Sequence, residues 1–168
     1  MTNIVHYSSF DSPFGRVFVA RTTKGVCLIK FSQITEVKFL SILRKSHQDE
    51  IVRDDKVLGN VNKSLLDYFN GHTANIKLLL DLSTGTKFQN KVWLKVKEIP
   101  YGELRTYKWV ARAIGNTHAA RAVGNAVGRN PVAPIVPCHR VVCSDGSLGG
   151  YTSGIKIKKR LLKLEGII

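Results

Sequence analysis

The chain has 168 residues, 43% of them hydrophobic and 23% charged, a globular composition that excludes bulk disorder and fibrous classes. Its 26 Lys and Arg against 12 Asp and Glu leave a formal charge of +14, and its three cysteines, Cys27, Cys138 and Cys143, are too few for a disulfide framework. No apolar run approaches the roughly 20 residues that a membrane-spanning helix needs, and Met1-Thr2-Asn3-Ile4-Val5-His6-Tyr7 lacks the basic-then-apolar order of a secretory signal, so the expected location is the cytoplasm.

The first half reads as strands followed by helices. Tyr7-Ser8-Ser9-Phe10, Arg16-Val17-Phe18-Val19-Ala20 and Val26-Cys27-Leu28-Ile29-Lys30-Phe31 are β-rich runs separated by Asp11-Ser12-Pro13 with Gly15 and by Lys24-Gly25, which predicts a three-stranded antiparallel meander. Val37, Leu40 and Leu43 repeat at helical spacing, as do Val57, Val61, Leu65 and Phe69 before Gly71, so two amphipathic helices are expected to pack on that sheet. A short strand is expected around Ile76 to Leu80. His6, His47 and His72 stand alone and form no chemical constellation.

The second half is helical. Phe88, Val92, Val96 and Ile99 mark one face of a helix begun near Thr86 and stopped by Pro100, with Lys87, Lys91 and Lys95 on a second stripe. Thr106 caps a helix carrying Tyr107, Val110, Ala111 and Ile114 and ending at Gly115. Asn116-Thr117 turns and caps another helix, about His118 to Val127, and the pair reads as a helix-turn-helix. This helix is rich in alanine and glycine, with Arg121 its one long basic side chain, so its backbone suits close approach to a partner or to another helix. Pro131, Pro134 and Pro137 predict an extended path into Cys138-His139-Arg140-Val141-Val142-Cys143. Thr152-Ser153 is the expected cap of a last helix with Ile157, Leu161 and Leu164 inward and Lys156, Lys158, Lys159 and Arg160 outward, ending at Gly166.

The charge is lopsided: residues 1–81 hold 11 basic and 8 acidic side chains, residues 82–168 hold 15 and 4. A one-sided positive field attracts polyanions, and nucleic acid is the common partner of a small basic domain. The alternative is a basic surface that serves solubility alone.

Cys138 is the candidate nucleophile. Pro137-Cys138-His139-Arg140 sets a thiol beside an imidazole and a guanidinium, surroundings expected to lower its pKa. In an extended segment His139 would face away from the sulfur, so a water would have to join them. A buried structural cysteine, or a partial metal site of Cys138, His139 and Cys143, is the competing reading; the latter lacks CxxC spacing and a fourth ligand. Glu165 lies at the end of the last helix, where the helix dipole disfavours an acid by roughly 0.3–1 kcal/mol. An imidazole in need of orientation would compensate it, giving a Glu165–His139–water–Cys138 relay; a surface glutamate near Lys163 is the alternative.

Ile135-Val136-Pro137-Cys138-His139-Arg140-Val141-Val142, preceded by Arg129-Asn130-Pro131 and by Ala119-Ala120-Arg121-Ala122-Val123-Gly124, closely resembles the methylated-DNA–protein-cysteine methyltransferases, or 6-O-alkylguanine-DNA alkyltransferases. The likeness covers most of residues 86–166; in the first half Leu66-Asp67-Tyr68-Phe69-Asn70-Gly71 matches best. The resemblance implies a mixed α/β (α+β) fold, with a ribonuclease H-like domain over residues 1–81 and a helical, winged helix-turn-helix domain for DNA binding and alkyl transfer over 82–168. It implies that Cys138 takes the alkyl group of 6-O-alkylguanine irreversibly, with His139 as base, Glu165 orienting it, Asn130 tying the helix-turn-helix to the cysteine segment and Tyr107 donating to the leaving base. Val141, Tyr151 and Thr152 would hold the base. Arg121, Ala119, Ala120, Gly124, Arg129 and Arg140 would contact double-stranded DNA through the minor groove, Arg121 filling the stack vacated by the flipped nucleotide.

Neither cofactor nor metal is expected, because Cys27 is the first half's only cysteine and reads as a core strand residue. No membrane and no obligate protein partner are expected. Thr152-Ser153 occupies positions that vary between serine and glycine in the family, which bears on which alkyl groups fit. The competing class is a non-catalytic DNA-binding module, which rests on the basic half and the helix-turn-helix alone.

Overall fold

The three predicted β-runs form the meander: β1 (Ile4–Ser12), β2 (Gly15–Arg21) and β3 (Val26–Phe31) pair antiparallel, with Phe10 opposite Val17 and Phe18 opposite Lys30. The computed structural model describes residues 3–168, so Met1 and Thr2 of the stretch read for a leader lie outside the described residues. The chain divides into two compact units between Thr84 and Gly85.

In the first unit a fourth strand, β4 (Glu50–Arg53), joins the sheet parallel to β1, giving the order β3-β2-β1-β4. The expected three-stranded antiparallel sheet is thus a four-stranded mixed one. The extra edge strand has only Ile51 and Val52 between two charged residues, too short a run to show alternation. Helix α1 (Glu36–Ser46), capped by Thr35, buries Phe39 and Leu43 rather than the expected Val37, which is 80% exposed. Helix α2 (Gly59–Phe69) buries Val61, Leu65, Tyr68 and Phe69, and Val57 precedes it. Phe18 stacks on Phe39 with centroids 5.3 Å apart, whereas Phe31, on the other side of the pleat, meets Phe69 at 5.2 Å. The helices therefore cover opposite faces, which explains why Val17, Phe18, Val19 and Ala20 of the central β2 are all buried. The strand expected near Ile76 is reduced to a single bridge between Val26 and Leu80.

The second unit begins with α3 (Lys87–Lys97), whose Thr86 and Gln89 complete a capping box. A two-residue strand β5 (Arg105–Thr106) leads into α4 (Tyr107–Ala113), capped by the Thr106 hydroxyl, and then α5 (Ala120–Gly128). Helix α5 starts two residues later than expected and lacks the Thr117 cap; Ala119 occupies that position with no side-chain bond. Trp93 ties α3 to α5 by donating its indole N–H to the Ala126 carbonyl at 2.7 Å. A 3-10 turn, Cys138–Arg140, runs into β6 (Val141–Val142), which pairs parallel with β5. Helix α6 (Ile155–Leu164) is entered through Gly154 at φ 93°, not through a Thr152 or Ser153 cap. Thr152 instead donates its hydroxyl to the Gly128 carbonyl at 2.5 Å. Among the described residues no helix is long and apolar enough to cross a membrane.

The α3–α5 tie fixes the helix expected to meet DNA, and its cost is measurable. Trp93→Phe removes a buried hydrogen bond and some ring volume and is expected to lower unfolding free energy by about 1–2 kcal/mol. Denaturant titration checks this, and an unchanged midpoint contradicts it.

Candidate active site

The cysteine segment owes its shape to Asn130 and to the turn after Pro137. Asn130 donates its amide to the Val136 carbonyl at 2.7 Å and to Cys138 Sγ at 3.2 Å, while its oxygen accepts from Val132 N at 3.0 Å. The Arg140 N–H closes on the Pro137 carbonyl at 2.9 Å. The expectation of an extended path through Cys138 to Arg140 is therefore corrected. In a 3-10 turn successive side chains fan out by about 120° instead of alternating. His139 turns fully inside, 0% exposed, and Cys138 is 6% exposed.

Behind the thiol lies a buried charge cluster. His139 Nε2 sits 2.7 Å from Glu165 Oε1, and Arg140 donates Nε to Oε2 and Nη2 to Oε1, both at 2.8 Å. The Gly102 N–H adds a fourth donor to Glu165 at 3.2 Å. Arg140 also donates to the Ile99 carbonyl at 2.6 Å and lies over the Tyr101 ring, 5.6 Å from its centroid. This corrects the expectation that Arg140 contacts DNA: the residue is 7% exposed and its guanidinium is committed to partners inside the fold. Because an ionised carboxylate only accepts, His139 carries its proton on Nε2. Burial holds its pKa below the ordinary imidazole value, against the opposing pull of Glu165. At neutral pH His139 is then a neutral base with Nδ1 as its basic nitrogen.

Lys158 is a further correction. Expected on the outer face of α6, it is 0% exposed, and its ammonium donates to the Val141 carbonyl at 2.7 Å and to the Leu148 carbonyl. Lys158, Leu161, Leu162 and Glu165 share one helical face at the i, i+3, i+4, i+7 spacing, which was the available signal that this lysine points inward. Burial lowers its pKa to about 8, while Cys138 and Cys143 act to raise it. Burial pushes the Cys138 thiol up, outweighing Asn130, the Tyr151 hydroxyl and Lys158, which all favour the thiolate. The expectation of a lowered resting pKa is thus overturned: desolvation outweighs the nearby positive charge.

Cys138 borders a cavity of about 660 Å³ lined also by Tyr107, Arg121, Gly124, Tyr151 and Thr152. Ala120 and Cys143 line it too, the latter a residue the sequence offered only as part of the competing metal site. Gly149, at φ 68°, keeps the Tyr107 phenol in place, since a Cβ there would come within 3.1 Å of its oxygen. Burial raises the Tyr107 pKa, so its hydroxyl stays a donor at neutral pH. Other expected site residues lie elsewhere. Val141 is buried with its carbonyl on Lys158, Ala119 caps α5, and Arg129 borders a separate groove with Thr86 and Gln89.

A two-unit α/β chain with a helix-turn-helix beside a buried cysteine is the class defined by this fold and site. Residues 5–82 match the family model described as the 6-O-methylguanine DNA methyltransferase ribonuclease-like domain, and residues 87–167 match that family's DNA binding domain. The methylated-DNA–protein-cysteine methyltransferase of Methanosarcina acetivorans is 41% identical over 162 residues, 96% of this chain and 99% of the relative. That of Mycobacterium tuberculosis is 39% identical over 162 residues, 96% of this chain and 93% of the relative. Among solved structures, Mycobacterium tuberculosis OGT in complex with DNA superposes with a TM-score of 0.82 at 38% identity, covering 95% of this chain and 92% of that one. The chain belongs to the methylated-DNA–protein-cysteine methyltransferase family and is an enzyme of that class.

The buried lysine gives the site a signature in stability. Between the folded pKa of about 8 and the ordinary 10.5, the unfolded chain binds the Lys158 proton that the folded chain releases, so stability rises with pH across that window. The expected slope difference between the natural chain and Lys158→Met is up to about 1.4 kcal/mol per pH unit in that range. Unfolding titrations of both proteins across the window measure it, and parallel curves contradict it.

Proposed function

We propose that the chain repairs 6-O-alkylguanine in double-stranded DNA by moving the alkyl group to Cys138 once, without turnover, after drawing the base out through the minor groove. The observation that carries this reading is the position of Cys138: its sulfur is held by Asn130, borders the cavity with Tyr107 and Arg121, and follows in sequence into the His139–Glu165 pair.

In this reading the resting thiol is neutral and is activated only when needed. His139 Nδ1 takes the Cys138 proton through a bridging water, and Glu165 and Lys158 stabilise the resulting imidazolium and thiolate respectively. The thiolate attacks the saturated alkyl carbon. A C–S bond forms, the C–O6 bond breaks, and the electron pair flows into the guanine ring, where Tyr107 donates a proton or hydrogen bond at N3. The product thioether is chemically inert, and no group in the mechanism regenerates the thiol, so each molecule acts once.

Base reading falls to backbone groups of Cys138 and Val141 and to Thr152, with Tyr151 packing on the base. The Thr152 proton is engaged by Gly128, which leaves its oxygen as the available acceptor. A duplex base cannot enter the cavity while stacked, so it has to be flipped at a cost of a few kcal/mol. The small residues Ala119, Ala120 and Gly124 allow α5 a close approach to the minor groove, and Arg121 is the side chain that fills the gap. Outer cations such as Lys87, Lys91 and Lys108 load the protein onto DNA of any sequence, with strong salt dependence.

Incubation with duplex DNA containing 6-O-methylguanine is expected to add one methyl group per protein, on the Cys138 peptide by mass. An unmodified Cys138, or more than one equivalent of repaired base per protein, overturns the reading. Cys138→Ala is expected to abolish transfer while leaving duplex affinity within about twofold, since the thiol supplies chemistry and little contact area. Arg121→Ala is expected to slow duplex repair by about 10- to 100-fold and to leave reaction with the free alkylated base nearly unchanged. Equal effects on the two substrates contradict the stack-filling role.

A further inference from the structure

Glu165 is fully enclosed, and a buried carboxylate needs one positive charge to offset it. Two neighbours are able to supply it: the Arg140 guanidinium, or a proton added to His139. If His139 supplied the charge it would rest as imidazolium, unable to take a proton from Cys138. The two are not equivalent in geometry. Arg140 engages both carboxylate oxygens at 2.8 Å, is held from behind by the Ile99 carbonyl at 2.6 Å and lies over the Tyr101 ring, whereas His139 makes one contact to Glu165.

We propose that Arg140 is a positioning residue that supplies the counter-charge of Glu165, so that His139 is left neutral, with its proton on Nε2, as the base for Cys138. Arg140 touches neither the thiol nor the cavity; it acts through Glu165. The charged groups acting on His139 are Lys158 from α6, Glu165 from its C-terminal end and Arg140 from its own turn, with the Cys138 thiol next to it in sequence; Tyr101, from the turn after α3, lies against Arg140. Lys158 is engaged by the Val141 and Leu148 carbonyls, so of these two cations Arg140 is the one that pairs with the carboxylate. Both cations oppose protonation of His139, in the same sense as its burial. Without Arg140 the offsetting proton moves onto His139 or onto Glu165 itself. In the first case the base is already protonated; in the second Glu165 becomes a donor, His139 takes the Nδ1–H form and the basic nitrogen faces the wrong way. Either outcome removes the base.

The proposal rests on the alkyl-transfer reading, but its test does not require transfer. In the ¹⁵N-labelled full chain, imidazole NMR reads the protonation and tautomer of His139 before any substrate is added. The natural protein is expected to show neutral His139 with Nε2–H at neutral pH. Arg140→Met is expected to show imidazolium or the Nδ1–H tautomer, with transfer to Cys138 slowed by roughly 100-fold, the lower end of what a positioned base supplies. The double variant Arg140→Met with Glu165→Gln removes the charge that needs offsetting and is expected to return His139 to neutral. Arg140→Lys keeps the charge and is expected to leave His139 neutral, which also serves if Arg140→Met fails to fold. A neutral Nε2–H His139 in Arg140→Met overturns the proposal whatever its activity, as does imidazolium in Arg140→Lys. A natural protein that transfers nothing overturns the functional reading and leaves the His139 result interpretable.

Discussion

The carboxylate of Glu165 is buried at the C-terminal end of α6, where the helix dipole repels it, and the surrounding architecture answers that one liability. Four N–H donors converge on it from two places in the chain: His139 and Arg140 from the 3-10 turn, and Gly102 from the turn after α3. Arg140 carries the tie further, to the Ile99 carbonyl, and Tyr101 returns it by donating to the Leu164 carbonyl at 3.0 Å. The end of α3, the cysteine turn and the end of α6 are thereby locked together by charge-assisted bonds, which are shorter and stronger than neutral ones. Catalytic geometry and local stability share the same contacts.

The same arrangement divides the basic residues into two populations. Most of the +14 lies on exposed Lys and Arg that form a field around the molecule. Arg140 and Lys158 are inside, each engaged by carbonyl or carboxylate oxygens, and neither adds to that surface field. Arg140 favours negative charge on Glu165, and Lys158 favours it on Cys138. A buried thiol kept neutral by its own desolvation is a poor nucleophile toward adventitious electrophiles.

How far the sequence could be read follows from which forces are local. Strands β1 to β3 and the Thr35, Thr86 and Thr106 caps depend on alternation and on side chains within three residues, and the structure has them. Strand β4 escaped because its pairing with β1 is tertiary and its own two apolar residues carry no period. The 3-10 turn escaped because the prolines suggest extension while the Asn130 amide, eight residues from Cys138, bends the chain. Lys158 was read as outward on its helix and Arg140 as a DNA contact from the resemblance, yet both are buried by partners distant in sequence, the Val141 and Ile99 carbonyls among them. At the site, the His139–Glu165 contact was readable because an acid at a helix C-terminus needs a partner; Arg140 was not, since nothing local marks it as buried, and Lys158 was missed although its spacing with Leu161, Leu162 and Glu165 pointed it inward.

The central claim is that the buried charges leave His139 a neutral base beside a neutral thiol. The most direct measurement is the ¹⁵N spectrum of the His139 ring in the unreacted natural protein, followed from mildly acidic to mildly alkaline pH. The account predicts one neutral species with its proton on Nε2 throughout the neutral range, protonating only below the ordinary imidazole value of 6.5. An imidazolium at neutral pH, or a proton on Nδ1, would contradict it.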